Sequence, residues 1–142
     1  MFSIKYSVYE KADLEDEKNL TIRGVLNILK EKGLNVNRII FINSIFVSKN
    51  NRNNGLGSTV LKDLIKKYPG SIIVTEAFAS KEEYERQPNE YENEKIVKNI
   101  GNFLTKNGFY DINDYVGKYE YKKVYIYDEF YKNIISQVKP LN

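Results

Sequence analysis

The stretch from Phe46 to Ser58, FVSKNNRNNGLGS, constrains the fold more than any other. An apolar run ends at Val47, seven polar residues follow, and Gly55-Leu56-Gly57 opens a helical pattern. The order reads as strand, glycine turn, helix N-terminus. Such a turn exposes backbone N–H groups, and the helix dipole adds positive potential at the same place. It is a place to hold phosphate.

The flanking residues extend this unit in both directions. Ile39 to Val47 is almost continuously apolar, which suits a central strand covered on both faces. Asn43 and Ser44 interrupt it, either as a bulge or as a turn that splits it in two. After the glycines, Val60, Leu61, Leu64 and Ile65 form the apolar face of a helix that Pro69-Gly70 ends. Ile72 to Thr75 is the next strand. Two strands joined through a helix make a parallel crossover unit.

The rest of the chain supplies cover. Phe2, Ile4, Tyr6 and Val8 alternate with polar neighbours and predict a half-buried strand. Asp13 is placed to cap the following helix, whose face is Ile22, Val25, Leu26 and Leu29 and which closes at Gly33. Ser80 to Lys95 is highly polar. It reads as a solvated loop and helix start or, functionally, as an acidic rim for a cationic amine. Ile96, Val97, Ile100, Phe103 and Leu104 form another amphipathic face, ended by Asn107-Gly108. Phe109 to Tyr127, rich in Tyr and Val, predicts one or two strands, with its tyrosines on the pleated surface. Glu129 to Asn142 is expected to dock as a short helix.

With 142 residues the chain is expected to form one domain, residues 1–142. It contains no cysteine and no histidine. Thiolate nucleophiles, zinc–cysteine sites, imidazole bases and His-based triads are therefore excluded, and acid–base work falls to Glu, Asp, Tyr, Lys, water or backbone. A net charge of +3 permits an acidic small ligand but gives little support for nucleic-acid binding. No apolar run reaches the length of a membrane span. The N-terminus lacks the layout of a signal peptide. A cytoplasmic location is expected, no membrane partner is, and a homodimer is left open.

Three phosphate motifs compete at the glycines. A Walker A loop requires Lys after its last glycine, and here Ser58-Thr59 follows Gly57. A dinucleotide fingerprint finds Gly55-Leu56-Gly57 and an acid, Glu76, at a suitable distance. However, Val60 stands where a small residue belongs, and the glycines lie well past the strand end.

The third motif fits better. Arg52-Asn53-Asn54-Gly55-Leu56-Gly57, a few residues after a strand and opening a helix, resembles the Gln/Arg-x-x-Gly-x-Gly/Ala signature of the GNAT superfamily of N-acetyltransferases. Phe103-Leu104-Thr105-Lys106-Asn107-Gly108-Phe109 resembles the end of that family's Asn-bearing helix. The resemblance spans about Arg38 to Tyr127. It implies an α/β fold: a mixed, mostly antiparallel sheet with a central parallel strand–helix–strand unit and flanking helices. It implies acetyl-CoA as co-substrate and transfer of acetyl to a primary amine on a small cationic molecule, a protein lysine or an N-terminus. The CoA pyrophosphate would lie on the amides of Asn53 to Ser58, with Gly55 and Gly57 allowing close approach and positive φ. Arg52 would offset phosphate charge. The pantetheine arm would lie along Ile45, Phe46 and Val47, with the Val47 N–H at the thioester carbonyl, and Asn99 would contact CoA.

The match weakens on the catalytic side. Leu104 stands where the family often has the Tyr that protonates the departing thiolate, so Tyr110 or Tyr91 becomes the candidate acid. Glu76 is the first candidate base, with a salt-bridged carboxylate as its plain alternative, and Ser44 acting through water is the second. The segment before the signature is also short of strands. The rival reading is a non-catalytic CoA-binding or protein-interaction module of the same fold.

Overall fold

The computed structural model describes residues 2–47, 55–78, 90–117 and 122–137. Within them lie β1 (Phe2–Glu10), α1 (Lys11–Glu15), α2 (Leu20–Glu31), β2 (Arg38–Val47), α3 (Leu56–Lys67) and β3 (Ile72–Phe78). There follow α4 (Glu90–Lys106), β4 (Tyr110–Asp111), α5 (Asn113–Val116) and β5 (Lys122–Tyr127), then 3-10 turns at Glu129–Tyr131 and Ile134–Gln137.

The strands form one mixed sheet in the order β1-β2-β3-β5-β4. β2 and β3 are parallel, as the strand–helix–strand pattern predicts. The other neighbours are antiparallel. The period of two along the strands divides the sheet into two apolar faces. Ile39 and Phe41, Ile72 and Val74, Val124 and Ile126 pack with Ile22, Val25, Ile28 and Leu29 of α2. Ile40 and Ile42, Ile73 and Ala77, and Tyr125 pack with Leu61 and Leu64 of α3 and Val97 and Leu104 of α4. β2 is thus covered on both sides, which explains why its sequence is a run rather than an alternation. β1, at the edge, keeps its alternation: Ile4, Tyr6 and Val8 lie against the α3–α4 face.

Of the two readings of Asn43-Ser44, the bulge is the one found. Ser44 pairs with Lys5 and Ile42 with Tyr6, leaving Asn43 as the extra residue in an unbroken β2. Asn43 Nδ2 donates to Ser7 Oγ at 3.0 Å.

Two local expectations change. Asp13 does not cap α2; its Oδ2 accepts from Glu10 N at 3.1 Å in the separate α1. Asn19 caps α2, its Oδ1 accepting from Thr21 N at 2.9 Å and Ile22 N at 3.1 Å. Phe109 to Tyr127 supplies two strands, as expected, the antiparallel neighbours β4 and β5, with α5 between them. As far as Gln137 the C-terminal segment forms two 3-10 turns rather than one helix, and residues 138–142 lie outside the described residues. Lys132 and Asn133, both left-handed with φ of 55° and 61°, separate the turns. The buried Asp128 carboxylate holds that bend, accepting from Asn133 N at 2.8 Å and Ile134 N at 3.0 Å. This sets Ile135, fully buried, into the α2-side core. Among the described residues, no helix is long and apolar enough to cross a membrane.

Candidate functional site

α3 begins where the glycine turn predicts. Gly55 occupies the position before its first turn with φ of +82°, a left-handed conformation that costs other residues energy. Its carbonyl accepts from Thr59 N at 3.0 Å and from Thr59 Oγ1 at 3.1 Å. The first N–H groups of a helix have no acceptor within it, so those of Gly57 and Ser58 are left without one there.

Gly57 is helical and not left-handed, so the positive φ expected of it is not found. Its missing side chain has a different use. A Cβ built at Gly57 would stand 2.9 Å from Cζ of Phe103 on α4, closer than real contacts allow. Beside it, Asn107 Nδ2 donates to Ser58 Oγ at 3.1 Å and to the Phe103 carbonyl at 2.9 Å. The two sequence motifs that carry the resemblance therefore touch. Asn99 lies on an exposed part of α4, one turn before Phe103. Arg52, Asn53 and Asn54 fall outside the described residues.

The second element of the site is an opening in the sheet. β2 and β3 pair only from Ile39↔Ile72 to Ile42↔Thr75, yet β2 runs on to Val47 and β3 to Phe78. β1 stays with β2 as far as Val47, and β5 stays with β3 as far as Phe78. The sheet therefore parts between β2 and β3. The parting begins at the Asn43 bulge, and the last rung is tied by Thr75 Oγ1, which donates to the Ile42 carbonyl at 3.3 Å. Ile45, Phe46 and Val47 lie along β2 at the parted edge.

Past the parting, the row facing α2 changes from apolar to polar. Ile72 and Val74 are followed on β3 by Glu76, and Ile126 and Val124 on β5 lead to Lys122. Glu76 and Lys122 form an ion pair, with side chains only 14% and 19% exposed. Ser44 is exposed. Glu76 is thus beside the opening and already holds a counter-charge, a partner that only the β3–β5 register reveals.

Tyr110 is elsewhere. It sits on the far edge strand, level with Ile126, and its hydroxyl donates to Asp128 Oδ2 at 2.8 Å while accepting from Ile135 N at 3.3 Å. Burial, followed by the Asp128 charge and hydrogen bond, raises its pKa well above the ordinary tyrosine value. The structure does not bring it together with the glycine turn or the opening, and its contacts are those of a clamp on the C-terminal segment. Leu104 is in the core. The side chain of Tyr91 lies outside the described residues.

A cleft of about 340 Å³ lies among Ile65, Tyr68, Ile73, Tyr127 and Phe130. It opens where β3 begins, and none of its lining residues belongs to the glycine turn, so its volume does not make it the better site. Phe103, Asn107 and Lys122 are the site residues that sequence reasoning did not assign. Phe103 and Asn107 could have been suspected, because both belong to the second motif.

Neither a scan against protein-family models nor a search of curated proteins finds a match for the chain.

Proposed function

We propose that the chain is an acetyl-CoA-dependent N-acetyltransferase acting on a primary amine. The observation that carries this reading is the parted sheet: a parallel pair that separates at a bulge and, seven residues beyond the end of β2, a helix N-terminus behind a left-handed glycine. Those two features suit the two ends of one ligand. Orphan amides at α3 favour phosphate, and a β2 edge that has no sheet partner among the described residues suits an extended, amide-bearing arm such as pantetheine. An oxygen of the thioester would then meet a backbone donor near Val47, which lowers the cost of the charge that develops there.

In the reaction the amine nitrogen attacks the thioester carbonyl carbon, the C–S bond breaks, and the amine proton leaves. Glu76 is the candidate to take that proton, directly or through water. The departing thiolate takes up a proton from water, since Tyr110 is committed to Asp128. Most of the acceleration would come from holding the amine against the thioester.

A second reading, a CoA-binding module without chemistry, draws on one observation. Two of the groups named for acid–base work are engaged by other residues, Glu76 by Lys122 and Tyr110 by Asp128. Release of free thiol from acetyl-CoA in the presence of an amine panel separates the two. The protein has no thiol of its own to raise the background. CoA binding without release under any amine or protein acceptor supports the module.

A further inference from the structure

We propose that β1 is an interface strand: two copies of the chain join β1 to β1, antiparallel about a two-fold axis at Tyr6, so that one sheet runs through both. The proposal is independent of what the chain binds at α3 or at the parted strands.

β1 ends the sheet, and among the described residues its neighbour is β2 alone. All nine of its residues are in register with β2, and the bulge falls in β2 rather than in β1. None of Ile4 to Glu10 is buried, although Ile39 to Ile42 beside them are. An edge strand offers a row of N–H and C=O groups to any strand that can lie along it. Short length, proline and bulges are among the usual defences. β1 has none of these three and carries one lysine, Lys5.

The sequence of β1 says which strand fits. A two-fold axis perpendicular to the sheet keeps the α3 sides of both copies on the same side, so it pairs residues of the same parity. With the axis at Tyr6, Phe2 pairs with Glu10, Ser3 with Tyr9, Ile4 with Val8 and Lys5 with Ser7. The whole strand is used. Ile4, Tyr6 and Val8 already pack on the α3–α4 core, and the pairing prolongs that apolar row from one copy into the other. No like charges stand directly opposite each other. Moving the axis to Lys5 sets lysine against lysine, and moving it to Ser7 leaves Phe2 and Ser3 unpaired. The same patch meets itself, so the assembly closes at two copies. The charge near the axis is positive. Lys5 lies diagonally from its own copy, and Lys67 Nζ donates to the Tyr6 hydroxyl at 3.2 Å. The dimer should therefore tighten as salt screens those charges.

The test is sedimentation equilibrium of the full chain over a range of concentration and salt. A reversible monomer–dimer equilibrium that tightens with salt is expected. Ser7→Glu places a carboxylate opposite Lys5 of the second copy and should tighten the dimer about threefold to tenfold, while Ser7→Lys should loosen it by as much. Both variants lose the bond from Asn43 Nδ2 to Ser7 Oγ, so a difference of sign between them reports the interface and not the bulge. If both fail to fold, Lys5→Gln, at an exposed position, should tighten the dimer and reduce its response to salt, and no change contradicts the pairing. A monomer at every concentration and salt, or a dimer indifferent to the charge at position 7, overturns the proposal. So does a dimer that Ser7→Glu loosens, the result expected with the axis at Ser7.

Discussion

The ring of Phe103 occupies the space that a side chain at Gly57 would need, with Cζ 2.9 Å from where a Cβ would stand. Gly57 thus keeps α3 and α4 close, whatever else it does for a ligand. Gly57→Ala gains helix propensity of about 1 kcal/mol and sets it against an overpacking cost of about 1–3 kcal/mol. In the Phe103→Ala background the collision is gone, and the same substitution should become stabilising by about 1 kcal/mol. Urea melts of the four proteins in the cycle give the sign directly. A Gly57→Ala effect that is the same in both backgrounds rules out the contact as its cause. A bulky or charged residue at position 57 is accordingly a poor probe of phosphate binding, because it disturbs packing first.

Thr75 closes the last rung between β2 and β3 through its side chain. Thr75→Val keeps the shape and removes the donor, leaving the buried Ile42 carbonyl one bond short. The expected cost is about 1 kcal/mol, read as a lowered denaturant midpoint. If the opening holds the ligand arm, CoA affinity should fall with it more than it does for Thr59→Val, which removes a hydroxyl from an exposed position. Equal affinity in the two variants separates the rung from ligand binding.

Glu76 and Lys122 can be tested for stability and chemistry separately. Lys122→Met leaves a mostly buried carboxylate without its cation, at a cost of about 3 kcal/mol. Adding Glu76→Gln should recover much of that loss. Glu76→Gln alone should lower turnover roughly 10²- to 10⁴-fold if Glu76 takes the amine proton, with CoA affinity unchanged. Unchanged turnover assigns the pair to folding alone.

Tyrosines make stability sensitive to alkali. Burial, then the hydrogen bond and charge of Glu129, push Tyr127 up to about 12. Tyr110 is raised as well, by burial and by Asp128, and Tyr125 by burial and Asp111. Above the ordinary value near 10, the unfolded chain releases protons that the folded chain keeps. Stability is therefore full below about pH 10 and falls as pH rises through the folded values. Urea midpoints measured across that range should decline, and Tyr127→Phe should flatten part of the decline. A midpoint independent of pH in this range contradicts the assignment.

Much of the architecture is legible locally. The alternation in β1, the continuous run of β2, the apolar face of α3 and the stop at Pro69-Gly70 each reflect a nearest-neighbour periodicity or a backbone restriction. The parting of β2 from β3 is not legible in this way, because an apolar run is equally compatible with full pairing. What decides it is a bulge at Asn43 and one hydroxyl on another strand. The same holds for Glu76, whose counter-charge comes from β5, and for Gly57, whose φ is ordinary and whose need for hydrogen as a side chain is set by a ring on α4. Asp13 misled because two acceptors, Asp13 and Asn19, precede one apolar face, and only the turn at Asp16 to Asn19 selects the nearer. Tyr110 could be read as a sheet residue or as an acid. Its depth beside Asp128 favours the former.

The central claim is that the α3 N-terminus and the parted strands together seat CoA. Calorimetric titration of the unmodified protein with CoA, beside an equal titration with NAD, addresses it most directly. Saturable binding of one CoA per chain is expected, with a stabilisation of about 2.7 kcal/mol at a hundred times Kd and no comparable heat from NAD. Saturable NAD binding with no response to CoA would contradict the account.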